Sequence, residues 1–220
     1  MADALIIFSR LPNGHETKTR LATILSETQR KGLHLAMWQD IFREAMKLSA
    51  STDIFLYWTG NGNISDYREH IPPSFILREQ HGENLGSRMR NAMRDIFSSG
   101  YGRAVLIGSD IPTVKAENIS RSFAALNNAD VVLGASGDGG YWLIGMKKFI
   151  PAAFGIPSWG NSSVLNATTE NLKRSGFTCV ISDEIDDIDT PEDIKNFMNE
   201  DSNEAVMTYT FLSKNIKKQH

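Results

Sequence analysis

The stretch Arg103-Ala104-Val105-Leu106-Ile107-Gly108-Ser109-Asp110-Ile111-Pro112 decides the fold. Its unbroken apolar run, Ala104 to Ile107, reads as an inner strand of a parallel sheet, buried on both faces. The run stops at small residues, an acid and a proline. A carboxylate just past the C-terminal end of an inner strand sits where open α/β sheets bind ligands. A desolvated carboxylate there must meet a cation or take up a proton. A divalent metal carrying a phosphorylated substrate answers that need. The competing reading makes Asp110 a cap for the turn or helix that follows.

Outward from this strand, apolar runs alternate with helical patterns, as in a parallel sheet covered on both faces. Residues 5–8, 53–58, 74–77, 104–107, 131–133, 141–146 and 179–181 read as strands. Ser26-Glu27-Thr28-Gln29 is a capping box opening a helix to about Leu48, with Leu33, Met37 and Ile41 on its apolar stripe and His34 expected at its surface. Further helices are predicted from near Asn84 with Leu85, Met89, Met93, Ile96 and Phe97 on one side, over 116–126, and from a cap at Asn161 to Arg174. Thr190-Pro191-Glu192-Asp193 is a capped start with proline at the first helical position. The pattern predicts an α/β fold: a three-layer α/β/α sandwich with a mostly parallel, Rossmann-like sheet. Residues 1–199 are expected to form one domain, and 200–220, with Lys214, Lys217 and Lys218, a polar helix or tail.

With 220 residues and a net charge of −3, the chain suits one large domain and not a nucleic-acid binder held by bulk charge. Cys179 is the single cysteine, which excludes an intrachain disulfide. No apolar run is long enough to span a membrane, and the start lacks a secretory signal, so a cytoplasmic protein is expected.

The loop after the first strand, Ser9 to Arg20, holds Arg10, Lys18 and Arg20 at the ligand edge of the sheet. It has neither P-loop nor GxGxxG spacing. Its position and charge favour phosphate binding over a merely solvated basic loop. His81-Gly82-Glu83-Asn84-Leu85-Gly86-Ser87-Arg88 enters a helix and could host an anion or a nucleotide edge, and a plain junction explains it equally well. Gly137-Asp138-Gly139-Gly140-Tyr141 reads either as a hairpin turn or as backbone brought close to a ligand. The third glycine favours the ligand, with Asp138 as a candidate base. Asp186-Asp187-Ile188-Asp189 is a solvated acidic loop unless one acid joins Asp110 on a cation. Trp159 could stack on a sugar or base, Cys179 reads as core, and loop packing explains Trp159 as well.

Seven pieces are then in place: LIIFSR, KTRL from Lys18, HGENLGSRM, VLIGSDIP, GDGGYWLIGM, WGNSSVL and DIDTPEDI. As an ordered set they resemble the nucleotide-diphospho-sugar transferase superfamily with the GT-A fold. They are most similar to small bacterial GT-A-like proteins, formerly a domain of unknown function, described as arsenosugar-biosynthesis-type glycosyltransferases. The resemblance implies a nucleotide and diphosphate against Phe8, Ser9, Arg10, Lys18, Arg20 and Ser109, and a nucleoside edge at Gly82, Gly86 and Arg88. It implies a metal, magnesium or manganese, on Asp110 with Asp189 or Asp187. Asp138 would serve catalysis with Asp110, and Gly139, Gly140, Tyr141 and Trp159 would face the sugar or acceptor.

The expected activity is metal-assisted glycosyl transfer from a nucleotide-diphosphate sugar to an unknown small-molecule acceptor, with a homodimer left open. The alternative is a nucleotidyltransferase of the molybdenum-cofactor or phospholactate type, which releases pyrophosphate. Such enzymes carry a glycine-rich first loop, and the lone Gly14 here favours glycosyl transfer. A non-catalytic nucleotide-binding protein is the third reading.

Overall fold

The computed structural model describes residues 2–156, 159, 162–199 and 204–216. Within them one sheet holds β1 (Asp3–Arg10), β2 (Thr52–Thr59), β3 (Ile76–Glu79), β4 (Arg103–Gly108), β5 (Val131–Ala135), β6 (Tyr141–Met146) and β7 (Cys179–Ser182). Their order is β3-β2-β1-β4-β6-β5-β7. All pairs are parallel except those of β6, which runs antiparallel to both β4 and β5. The helices are α1 (Glu27–Met46), α2 (Leu85–Ser98), α3 (Ala116–Ala125), α4 (Val164–Arg174), α5 (Pro191–Asn199) and α6 (Val206–Asn215). None is long and apolar enough to cross a membrane.

The period-two geometry of the inner strands splits the core. Leu5, Ile7, Val105 and Ile107 face α1 and α3, packing with Trp38, Ile41 and Ile119. Ala4, Ile6, Phe8, Ala104 and Leu106 face α2 and α4, packing with Met89, Met93 and Leu172. Leu5, Ile6 and Ile7 are wholly buried, and such a side chain contributes about 1.5–3 kcal/mol each. A third cluster joins α1 to α5 and α6 through Leu33, Met37, Ile194, Phe197 and Leu212.

Local capping follows the sequence. Gln29 N donates to Ser26 Oγ (3.3 Å) and Ser26 N to Gln29 Oε1 (2.9 Å). Ser87 N donates to Asn84 Oδ1 (2.9 Å), and Thr190 N to Asp193 Oδ2 (2.6 Å). The expected cap Asn161 lies outside the described residues, as do Lys217 and Lys218. Two expectations change, for β3 and His34, and the form of one turn is fixed. β3 starts two residues later than expected, because Phe75 closes a turn onto Pro72 O (3.0 Å) and packs edge-on against Phe42 in the core. The 136–140 segment is a hairpin turn between β5 and β6, closed by Ser136 N to Gly140 O (3.2 Å). His34 is buried, not at the surface, because it lies one turn before Trp38 on the side of α1 that meets the sheet and packs edge-on against that indole at 5.7 Å.

The chain leaves β1 through α1 to reach β2 on one side and arrives at β4 on the other. The crevice between the C-terminal ends of β1 and β4 is therefore the topological switch point. β1 delivers Ser9 and Arg10 there, and β4 delivers Ser109 and Asp110.

Candidate active site

A cleft of about 720 Å³ opens at this switch point. A larger hollow, about 840 Å³, lies behind residues 184–188. Its cations are already paired with acids: Lys47 with Glu44, Lys115 with Glu204 and Arg121 with Asp183. The smaller cleft holds the residues that can do chemistry.

Buried hydroxyls lock its floor. Ser109 Oγ and Trp38 Nε1 both donate to Ser9 Oγ, at 2.7 and 2.8 Å, and Ser9 Oγ donates to Arg10 O (2.8 Å). His34 Nε2 lies 3.2 Å from Ser9 Oγ. Burial, helped by the positive Lys18 and Arg10, pushes the His34 imidazole down to about 3, so it is neutral at physiological pH. Gln80, just after β3, donates to Ser9 O (3.1 Å) and Tyr57 O (2.9 Å). Sequence reasoning missed His34 and Gln80. The helical spacing of His34 from Trp38 and its place beside Leu33 were the available signals.

The first loop turns at Gly14 (φ 71°) and again at Lys18 (φ 53°), which is the one non-glycine residue with positive φ among those described. Arg30 Nε anchors it through Gly14 O (3.1 Å). Glu16 accepts hydrogen bonds from Asn61 N (3.3 Å), Asn13 Nδ2 (3.1 Å) and Asn61 Nδ2, which hold its carboxyl below the usual range. The loop thereby returns Lys18 to the cleft. Lys18 Nζ donates to Ile188 O (2.6 Å) and lies 3.8 Å from Asp110 Oδ2 and 3.6 Å from Asp189 Oδ1. Arg20 pairs with Asp189 from outside (3.3 Å).

The backbone joins the two acid segments directly, Ile188 N donating to Asp110 O (2.9 Å). Asp187 is half-buried. Its carboxyl is pushed up to about 6, first by burial and then by the charges of Asp110, Asp189 and Asp138, against the pull of Lys18. Four acids therefore share one field. Among the described residues, no three His, Cys, Asp or Glu side chains form a ready metal cage. Magnesium held with substrate phosphates needs only one or two carboxylates. The Asp110–Asp189 pair, each within 4 Å of Lys18 Nζ, fits that share.

Opposite stands Asp138, whose Oδ1 accepts from Ser136 Oγ (2.6 Å) and Gly140 N (2.8 Å). Ser136 was not singled out in the sequence. Trp159 meets Tyr141 edge-on at 6.3 Å. The expected Phe8, Ser9, Arg10, Lys18, Arg20, Arg88, Ser109, Asp110, Asp138, Gly140, Tyr141, Trp159, Asp187 and Asp189 all line the cleft.

Gly82, Gly86 and Gly139 do not line it; they shape the wall from behind. Gly82 O accepts from Arg88 Nε (3.0 Å). A Cβ on Gly86 would stand 2.3 Å from the Trp159 indole, so this glycine seats the tryptophan. Gly139 (φ 83°) packs where a Cβ would stand 2.2 Å from Ser162 O. Cys179 is half-buried on β7 with its thiol pushed up to about 11 by burial, which suits packing and not nucleophilic attack.

A crystal structure from Desulfovibrio desulfuricans G20, named provisionally as a nucleotide-diphospho-sugar transferase, superposes with a TM-score of 0.90. It is 28% identical, over 98% of this chain and 96% of that one. A cytidylyltransferase from Leptospira borgpetersenii serovar Hardjo-bovis (strain JB197) shares the fold alone, at a TM-score of 0.56 and 13% identity over 100% and 98% of the two chains.

The 3-phospho-D-glycerate guanylyltransferase of Phenylobacterium zucineum (strain HLK1) is 25% identical over 201 residues, 88% of either chain. The 2-phospho-L-lactate guanylyltransferase of Methanothermobacter thermautotrophicus (strain Delta H) is 28% identical over 137 residues, 62% of this chain and only 58% of that protein's length. These relatives correct the expected glycosyl transfer from a nucleotide sugar, because they are guanylyltransferases. The glycine count misled, since Lys18 supplies a left-handed turn without glycine. The family described as "Uncharacterized protein conserved in bacteria (DUF2064)" matches residues 42–161, more than half of the sequence, and the chain belongs to that family.

Proposed function

We propose that this chain is a nucleotidyltransferase. It moves a nucleoside monophosphate from a nucleoside triphosphate to an acceptor oxygen and releases pyrophosphate. One observation carries the reading: similarity along 88% of both chains to a guanylyltransferase. That likeness favours guanine as the base and a phosphorylated hydroxy acid as the acceptor class.

An acceptor oxygen attacks the α-phosphorus. The bond to the bridging oxygen of the β-phosphate breaks, and pyrophosphate leaves with the electron pair. Arg10 and Arg20, on the rim of the first loop, offset the charge that builds on the leaving group. Asp110 and Asp189 would hold magnesium or manganese, which when bound supplies charge neutralisation across the phosphates. The Ser9–Ser109 bond keeps the two strand ends in register beneath the nucleotide. Asp138, fixed on Oδ1, presents its other oxygen to orient the acceptor.

The test is a product assay with GTP and each of the two phosphorylated acids, in magnesium and in chelator. Pyrophosphate is the expected product. Free nucleoside diphosphate in its place, or no product with any triphosphate, sinks the reading.

A further inference from the structure

Lys18 already stands where a cation between Asp110 and Asp189 would stand. Its ammonium is within ion-pair distance of both acids, at 3.8 and 3.6 Å, and is anchored on Ile188 O at 2.6 Å. The side chain is 6% exposed, whereas those of Asp110 and Asp189 are 43% and 33% exposed. The acids therefore open to the cleft while the lysine plugs them from behind. Its backbone is left-handed at φ 53°, a conformation that β-carbon-bearing residues adopt at a cost. The loop bears that cost at the one residue, among those described, whose side chain pairs with both acids.

Two cations cannot share this place, because an ammonium and a divalent ion at contact distance repel. The acid pair is thus satisfied without metal. Lysine binds as a point charge on a flexible stem, so its ammonium can turn from carboxylates to phosphate without a change of fold.

We propose that Lys18 is a tethered counter-ion that closes the acid pair to divalent metal in the nucleotide-free protein. It releases the pair when its ammonium turns to the phosphates of an arriving triphosphate, so metal enters with the nucleotide and not before it. The nature of the arriving ligand rests on the nucleotidyl-transfer reading; the block on metal does not.

The test is a manganese titration of the full-length protein, reading free Mn2+ by its paramagnetic resonance signal. Wild-type protein binds Mn2+ weakly alone and more tightly once a non-hydrolysable GTP analogue is added. Lys18→Met binds Mn2+ about tenfold or more tightly than wild type without nucleotide. Adding Asp110→Asn to that variant removes the gain. Lys18→Gln, which also removes the charge but can still donate to Ile188 O, shows the same gain as Lys18→Met and decides the matter should Lys18→Met fail to fold.

Unchanged or weaker Mn2+ affinity in the folded variants overturns the proposal. So does wild-type affinity for Mn2+ that is indifferent to the analogue. A gain in Lys18→Met together with no pyrophosphate from any triphosphate upholds the block and removes the nucleotidyl-transfer reading instead.

Discussion

Asp187 carries the clearest consequence of the shared field. Its carboxyl stands at about 6 in the folded protein against an ordinary value of 3.8. Between those values the folded chain keeps a proton that the unfolded chain has lost. Its contribution to stability is present below about pH 4 and is lost as the pH rises through about 6. Asp187→Asn removes this loss. Urea unfolding should find the variant more stable than wild type by about 1 kcal/mol at neutral pH, after allowance for solvent screening, and level with it near pH 4. Parallel pH profiles for the two proteins would show that the acids do not share a field. His34 is the opposite case, a base kept neutral by burial. Its imidazole resonances should not move between about pH 5 and about pH 8, and a midpoint near its ordinary value would contradict the buried placement.

At the scale of elements, two contacts set the cleft wall and the C-terminal helix. The start of α2 can hold Trp159 over the cleft because Gly86 has no side chain. Gly86→Ala puts a methyl group 2.3 Å from the indole, so the ring must move. The tryptophan emission should shift and nucleotide affinity fall severalfold, while the far-ultraviolet circular dichroism stays that of wild type; an unmoved emission maximum would mean that the two do not pack. The second contact is Asp40, wholly buried on α1. It accepts from Met207 N (3.1 Å) and Thr208 N (2.8 Å), capping α6 across space, and pairs with Arg43 at 3.2 Å. Asp40→Ala leaves donors unpaired and should cost about 2–3 kcal/mol. Hydrogen exchange should localise that loss to α6, whose amides exchange faster than those of α1. Uniform loss of protection would instead make α6 part of one cooperative unit with the sheet.

For the molecule as a whole, one crevice gathers residues from both ends of the sequence. Ser9 and Arg10 come from β1, Asp110 from β4, Asp138 from the β5–β6 turn and Asp189 from the loop before α5. Asp110→Asn should lower pyrophosphate release by about a hundredfold or more, with little change in melting temperature. Equal turnover in wild type and variant would separate the acid pair from the chemistry.

Much of this was legible in the sequence, for local reasons. The apolar run to Asp110 marked an inner strand end, and the caps at Ser26 and Thr190 marked helix starts, because strand burial and capping are written within a few neighbouring residues. Those signals determined the α/β sandwich and the ligand edge. Only the tertiary structure decided that β6 runs antiparallel, that His34 is buried, that Gly86 serves Trp159, and that Lys18 lies between two acids far apart in sequence. The physical reason is that strand order and the backbone turn at Lys18 bring distant side chains together, and neither leaves a periodic or capping pattern in the chain.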